Sequence, residues 1–101
     1  MDKVLQLLSL SMRAGKISSG EFQTEESVKG GQAFLVVIAS DASDNTKKKF
    51  TNMCEFYEVP LLIYSNKEDL GHFIGKEFRA SLAVTDNGLA DKILSEAENT
   101  K

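Results

Sequence analysis

The order of apolar and polar residues predicts alternating helices and strands along this chain of 101 residues. The segment Val4–Met12 carries its apolar residues at helical spacing, and Gly15 marks the end of that helix. The stretch 33–39 is continuously apolar and contains β-branched residues, as in a strand that is covered on both faces. Similar apolar stretches at 59–64 and 80–84 predict two further strands.

Hydrophobic spacing also predicts helices between and after these strands. The lysine-bearing segment starts one helix, in which apolar residues recur at i, i+3, i+4 and i+7. These residues are Phe50, Met53, Cys54 and Tyr57. A last helix follows the third strand. Its apolar residues are Ala90, Ile93, Leu94 and Ala97.

Serine and glutamate three residues apart form capping-box patterns at the starts of two more helices. Ser18 and Glu21 begin a short polar helix that two glycines close, although its start could slip by one or two residues. The chain before this helix, from residue 16, begins extended. Ser65 and Glu68 begin another helix, which ends at Gly75.

The alternation predicts an α/β protein, a three-layer α/β/α sandwich around a small mixed, largely parallel sheet. The length predicts one domain over residues 1–101, because a chain of this size buries a single core. In such a sheet, ligands collect beyond the carboxyl ends of the strands, where loops lead into helix N-termini. The loop 40–43 follows the first apolar strand, so it is a candidate for ligand contact.

The distribution of charge adds a candidate anion site. The formal net charge is −3, which excludes indiscriminate coating of nucleic acid but is compatible with a local basic patch. Lys47, Lys48 and Lys49 are adjacent near a helix start, where each exposed cation opposes the helix dipole by roughly 0.3–1 kcal/mol. Asp41 and Asp44 offset part of that cost. The lysines are either the solvated side of an amphipathic helix or the contact for a phosphate-bearing partner, and both interpretations stay open.

Residues suited to catalysis or metal binding are few. Cys54 is the only cysteine and His72 the only histidine, and no nucleophile pair, metal-ligand cluster or nucleotide-binding glycine motif accompanies them. We therefore expect no enzyme, metal or cofactor, with Cys54 a buried hydrophobe and His72 a surface or capping residue. No apolar run reaches membrane-spanning length and no signal peptide is recognisable, so a cytoplasmic protein without membrane contact is the simplest expectation.

Five segments along nearly the whole chain match a known family in the right order. They are SGE (19–21), LVVIASDAS (35–43), VPLLIY (59–64), LGHFIGKEFRASLAV (70–84) and TDNGLADKIL (85–94). The chain resembles the bacterial L7Ae-like ribosomal proteins of the YlxQ type, within the L7Ae/L30e/S12e superfamily. The resemblance implies an L30e-like sandwich that binds structured RNA, with kink-turn RNA as the ligand of many members and ribosomal RNA as a candidate partner.

The RNA-reading element of that family, Gly-x-Asn-Glu-x-x-Lys, is only partly present. Gly20 matches, whereas Phe22 replaces the asparagine and Gln23 replaces the glutamate. Gln23 still offers a donor and an acceptor to a base edge. Glu26 replaces the lysine and Glu25 adds negative charge, so this departure argues against the kink-turn affinity that the full pattern implies.

The segment before the last strand corresponds to a second family contact with RNA. Phe78 is either a core residue ahead of the strand, which is slightly favoured, or a face on which a base stacks. Arg79 can stack on bases and fork onto phosphate, and a functional role is favoured because no carboxylate stands at helical spacing. Gly71 lies inside the preceding helix, where it costs about 1 kcal/mol relative to Ala. Close approach of a neighbour and tight internal packing both explain it.

The loop 40–43 corresponds to a third RNA-facing segment, although its residues also suit a helix cap, and the two roles are compatible. Arg13 and Lys16 could extend the basic surface, although isolated surface charges are common. The leading hypothesis is a monomeric protein that binds structured RNA. The alternative is a protein-interaction module of the same fold with weak or lost RNA affinity, as the acidic residues suggest. The predicted RNA-binding residues are Gly20, Glu21, Gln23, Ser40, Asp41, Ala42, Lys47, Lys48, Lys49, Lys76, Phe78, Arg79, Ala80 and Ser81.

Overall fold

Five helices and four strands alternate in the computed structural model, which describes residues 2–99. In chain order they are α1 (Lys3–Arg13), β1 (Ile17–Ser19), α2 (Glu21–Lys29), β2 (Leu35–Ile38), α3 (Asp44–Tyr57), β3 (Leu61–Ile63), α4 (Lys67–Phe73), β4 (Ser81–Val84) and α5 (Asn87–Asn99). The five predicted helices and the three predicted strands are all found. The predicted extended segment from residue 16 contains the additional strand, β1.

The four strands form one sheet in the order β1-β4-β2-β3. β4 runs antiparallel to both of its neighbours, whereas β2 and β3 are parallel. The α/β class and the mixed sheet are confirmed, but the sheet is not largely parallel, because only the β2–β3 pairing is. Since β1, β2 and β3 run in the same direction, their carboxyl ends share one edge of the sheet with the start of β4.

The reversed direction of β4 follows from the path of the chain after α4. Arg79 donates its backbone N–H to the carbonyl of Lys67 at 3.0 Å, so the loop returns to the start of α4. β4 therefore begins at the edge where β3 ended.

Helices cover both faces of the sheet. α1 packs against α4 and α5 on one face, and α2 packs against α3, β1 and β4 on the other. All four residues of β2, Leu35–Ile38, are completely buried, as their continuously apolar pattern predicts. The predicted three-layer sandwich is confirmed. Cys54 is buried as predicted, and desolvation raises the pKa of its thiol to about 11.

The helix starts agree only in part with the predicted caps. Ser43 caps α3 by accepting a hydrogen bond from the N–H of Thr46 at 3.1 Å, in agreement with the capping interpretation of the loop 40–43. At α4 the predicted Ser65–Glu68 box is wrong by one residue. Asn66 is the cap and accepts from the N–H of Asp69 at 2.7 Å.

The predicted Ser18–Glu21 box at α2 is also wrong, but the alternative start two residues later, at Gly20, is found. Gly20 precedes the helix with φ 90°, and no side chain caps the helix start. The hydroxyl of Ser18 instead accepts a hydrogen bond from Ser27 at 2.8 Å within the interior of the α2 layer. A positive φ favours glycine, which gives a physical reason for the glycine at this position.

Candidate functional site

Three of the predicted RNA-facing segments meet at the edge of the sheet where β1, β2 and β3 end. Gly20 donates its N–H to the carbonyl of Ser81 at 3.0 Å, and Ala39 donates to Ala80 at 2.9 Å. These bonds join the start of α2, the loop after β2 and the segment before β4. We call residues 20–23, 40–43, 47–49 and 76–81 the strand-end rim.

The loop 40–43 is fastened to the start of α4. Asp41 accepts a hydrogen bond from the backbone N–H of Lys67 at 2.9 Å, and Ser40 donates its N–H to the carbonyl of Ser65 at 2.8 Å. The carboxylate of Asp41 is thus used for an orphan N–H of α4 rather than of the following helix. Ala42 is buried, so a ligand at the rim meets Ser40 and Asp41 rather than the Ala42 side chain.

The position of the segment before β4 depends on Gly71. A Cβ atom at Gly71 would lie 1.4 Å from the carbonyl oxygen of Glu77, which is impossible without displacing that backbone. The N–H of Lys76 also donates to the carbonyl of Gly71 at 2.8 Å. Close backbone approach is therefore the reason for a glycine inside α4, and it sets where Phe78 lies.

Phe78 is on the surface, with 67% of the residue exposed. The core interpretation that the sequence slightly favoured is wrong, because the loop passes over α4 instead of entering the core. The ring borders two adjoining pockets of about 400 and 420 Å³. Their other lining residues are Asp41, Asn66, Lys67, Glu68, His72, Lys76 and Glu77. His72 is exposed, as predicted.

Arg79 lies half-buried beside Phe78, and its guanidinium donates to the Phe78 carbonyl at 2.9 Å. No carboxylate pairs with Arg79 within residues 2–99, so its charge is not neutralised there. Ala80 is half-buried, and Ser81 is only 1% exposed. The Ser81 side chain is therefore not at the surface of the rim, so the predicted contact of this side chain with RNA is not possible in this conformation.

The three adjacent lysines do not share one environment. Lys49 binds Glu25 on α2 at 2.6 Å and Glu21 at 3.4 Å. Neither Lys47 nor Lys48 forms an ion pair with the described part of the chain. Lys49 thus links α2 to α3, and the cations left for a ligand are Lys47 and the exposed Lys48.

Glu25 carries less unbalanced charge than its place in the sequence indicates. Hydrogen bonds from Lys29 and then Lys49, both at 2.6 Å, lower the pKa of its carboxyl to about 2. The same contacts raise the pKa of both lysines. The repulsion that the sequence predicted at this position is therefore largely compensated, and Glu26 is the exposed acidic residue that remains.

The start of α2 adds features that the sequence did not single out. Phe22 is 69% exposed beside the uncapped first turn, and Gln23 is also exposed. The buried hydroxyls of Thr24 and Ser81 have no hydrogen-bond partner among the described residues. In the sequence, Phe22 stands out only as the replacement of a family asparagine. The signal that could have placed it at the surface is Gly20, two residues earlier, which marks the entry to the helix.

Two cations that the sequence offered as extensions of the rim lie elsewhere. Arg13 and Lys16 precede β1, so they are at the opposite edge of the sheet and do not extend the rim. Within residues 2–99, no cluster of His, Cys, Asp and Glu is suited to hold a metal ion. None of the helices described there is long and apolar enough to span a membrane.

Comparison with known proteins places the chain in a family. The sequence model of the ribosomal protein L7Ae/L30e/S12e/Gadd45 family matches residues 2–94. The chain is 44% identical over 89 residues to the RNA-binding protein YlxQ of Bacillus subtilis (strain 168), covering 88% of this chain and 89% of that protein. It is 33% identical over 104 residues to the large ribosomal subunit protein eL8 of Thermoplasma volcanium, covering 98% and 86%.

A solved structure agrees with this assignment. A protein of unknown function from Bacillus halodurans C is similar with a TM-score of 0.94 and 37% identity, over 97% of this chain and 99% of that one. The chain belongs to the ribosomal protein L7Ae/L30e/S12e/Gadd45 family, as the quoted segments predicted. The two relatives whose role is named, YlxQ and eL8, are an RNA-binding protein and a ribosomal protein, in agreement with the expectation that the chain is not an enzyme.

Proposed function

We propose that this protein binds structured RNA through the strand-end rim and recognises a kink-turn-like bend with splayed bases. The observation that carries the proposal is the convergence of the Gly20 helix entry, the 40–43 loop and the Phe78–Arg79 pair at one edge. Names of relatives at 44% and 33% identity, an RNA-binding protein and a ribosomal protein, support RNA as the ligand.

The chemistry of the rim suits RNA that is not fully paired. Phe78 offers an exposed ring on which an unstacked base can lie, and the Arg79 guanidinium can stack or bind phosphate. Lys76 lines the pocket beside Phe78, and Lys47 and Lys48 add positive charge in the first turns of α3. Gln23 and the uncapped start of α2 provide hydrogen-bond donors to base edges or phosphate. The proposed partner is ribosomal or other structured RNA in the cytoplasm, bound by one copy of the chain.

The alternative of a protein-interaction module with lost RNA affinity is less well supported. Its main argument was the negative charge of Glu25 and Glu26 beside the helix entry. Because Lys29 and Lys49 bind Glu25, the support for the alternative is reduced to Glu26 and the acidic total charge of the chain.

RNA titration with matched aromatic variants tests the proposal. Phe78→Ala should weaken binding of a kink-turn RNA by roughly 5- to 150-fold, since base stacking on an aromatic ring contributes about 1–3 kcal/mol. Phe56→Ala is the control, because Phe56 is 79% exposed in the last turn of α3, away from the rim. Absence of binding to kink-turn RNA at low salt, or equal losses in both variants, would contradict the proposal.

A further inference from the structure

A groove of about 340 Å³ lies between α1 and α5, on the helical layer that α1, α4 and α5 form. Leu7 and Leu10 of α1 line it, with Lys3 and Arg13 at the two ends of the same helix. No lining residue of the groove belongs to the strand-end rim. The groove is therefore a second surface feature, independent of the proposed RNA site.

The α1 residues of this groove form one stripe. Lys3, Leu7 and Leu10 follow each other at spacings of four and three residues, which places them along one side of a helix. The stripe from Lys3 to Arg13 is about 15 Å long at 1.5 Å per residue. Leu10 is 45% exposed, although the other side of α1 is completely buried at Leu8. The groove is thus about as long as three turns of a helix, with Leu7 and Leu10 as its aliphatic floor and a cation at each end of the stripe.

Positive charge surrounds this floor. Lys3, Arg13 and Lys92 are exposed, and none of them forms an ion pair within residues 2–99. Glu96 is the acidic residue among those that line the groove. This excess of cations is unusual in a chain with a net charge of −3, so the surface is complementary to a negatively charged partner.

We propose that the groove between α1 and α5 docks an acidic amphipathic helix of a partner protein. Apolar side chains of that helix would cover Leu7 and Leu10, and its carboxylates would face the three cations, which is the helix-in-groove mode of recognition. An aliphatic floor favours a protein over RNA, because the residues that line the groove include no aromatic ring on which a base can stack.

Two designed peptides test the charge requirement. Both are helical, about twelve residues long, and carry leucines at i, i+3 and i+7; one has glutamates on the flanking positions and the other has lysines. Fluorescence anisotropy with the full chain should give micromolar binding of the acidic peptide, weakened by added salt. The basic peptide should bind at least tenfold more weakly. Equal binding of the two, or no binding of the acidic peptide, would overturn the proposal.

Two double variants locate the binding. The double variant Arg13→Glu with Lys92→Glu should reduce the affinity for the acidic peptide by roughly tenfold or more, because two attractions become repulsions. Lys47→Glu with Lys48→Glu makes the same charge change on the rim and should leave the peptide affinity unchanged. The Leu10→Ser variant, at an exposed site, should also reduce the affinity for the peptide. If the rim variant reduces that affinity as much as the groove variant does, the groove is not the docking site.

The same variants separate this proposal from the proposed function. Kink-turn RNA should bind Arg13→Glu with Lys92→Glu as it binds the original chain, and it should lose affinity for the Lys47 and Lys48 variant. Loss of RNA affinity in the groove variant would identify the groove as a nucleic-acid-binding surface and would overturn the proposal that a protein docks there. Peptide binding without any RNA binding would contradict the proposed function and leave the groove proposal supported.

Discussion

The carboxylate of Glu25 lies between two ammonium groups, 2.6 Å from Lys29 on its own helix and 2.6 Å from Lys49 on α3. Because Lys49 also reaches Glu21 at 3.4 Å, two carboxylates of α2 hold one lysine of α3 in place. The arrangement fixes α3 next to the helix entry at Gly20. Its electrostatic consequence is that, in the described chain, the charged residues without an ion pair closest in sequence to this contact are Lys47, Lys48 and Glu26.

Replacing Glu25 by glutamine should reduce stability in a manner that depends on pH. The pKa of Glu25 is lowered from its ordinary value of 4.5 to about 2 in the folded chain. A carboxyl whose pKa is lowered on folding stabilises the folded state at pH values above its unfolded pKa. This contribution to stability is lost as the pH falls towards the folded pKa. The difference in urea unfolding between the original chain and Glu25→Gln should be constant near pH 7 and shrink between pH 4.5 and 2.

Glu26→Gln is the matched control, because Glu26 is exposed and has no ion pair among residues 2–99. Its effect on unfolding should be small throughout the same pH range. If the Glu25→Gln difference stays constant down to pH 2, the ion pairs with Lys29 and Lys49 do not stabilise the folded state.

Replacing Gly71 by alanine should displace the loop that presents Phe78. The added Cβ would lie 1.4 Å from the Glu77 carbonyl oxygen, so the backbone must move, at a cost of about 1–3 kcal/mol for an overpacked site. Urea unfolding measures this loss. Gly88→Ala in α5 is the control, because the atom nearest to an added Cβ there is a carboxylate oxygen of Asp86, at 3.5 Å. Alanine should stabilise that helix by about 0.5–1 kcal/mol.

Kink-turn RNA affinity gives a second measurement for Gly71→Ala. It should decrease because Phe78 and Arg79 are moved, while the Gly88→Ala variant should bind RNA as before. A Gly71→Ala chain with unchanged stability would show that the α4 backbone and the loop can separate without cost.

At the scale of elements, the sequence predicted all five helices because each has either apolar spacing or a glycine at its end. The direction of β4 was not readable, since it depends on the loop that brings Arg79 back to Lys67. The α4 cap was misplaced by one residue for a similar reason. Ser65 adopts φ 61° and its carbonyl accepts from Ser40, a contact across 25 residues that no local pattern contains.

The candidate site was predictable as a set of segments, and less so as individual side chains. Gly20 and the 40–43 loop lie together because β1 and β2 run in the same direction and end at one edge of the sheet. Phe78 and Arg79 join them because β4 runs antiparallel and begins at that edge, a direction that the predicted largely parallel sheet did not contain. The partners of Lys49 are on another helix, and the exposure of Phe78 depends on contact between Gly71 and Glu77. Both are tertiary facts that residue type and spacing leave undetermined.

The caps of α4 give a test at this scale. Asn66→Ala removes the acceptor of the Asp69 N–H bond of 2.7 Å and should destabilise the chain by about 1 kcal/mol, within the 0.5–2 kcal/mol range of N-caps. Ser65→Ala should have a smaller effect in the same urea unfolding measurement, because the Ser65 contacts with Ser40 use its backbone carbonyl. The reverse order of the two effects would restore Ser65 as the cap.

At the scale of the whole molecule, the cations are divided among several surfaces of an acidic chain. Lys29 and Lys49 are ion-paired, Lys3, Arg13 and Lys92 surround the α1–α5 groove, and Lys16 is at the sheet edge opposite the rim. The cations without ion pairs that remain at the rim within the described chain are Lys47, Lys48, Lys76 and Arg79. If RNA binds at the rim as proposed, we expect its affinity to depend on these few local charges and not on the net charge of −3.

The salt dependence of RNA affinity should reveal this division. Each cation that neutralises a phosphate contributes roughly 0.7–0.9 to the slope of log affinity against log salt. Lys47→Ala with Lys48→Ala should therefore flatten the slope by roughly 1.4–1.8. Lys16→Ala should leave it unchanged, because Lys16 is on the opposite edge. Lys49→Ala should change it little, because Glu25 and Glu21 already bind that ammonium. Equal flattening by Lys16→Ala and Lys47→Ala would mean that RNA responds to overall charge, and the rim would lose its role as the local determinant of binding.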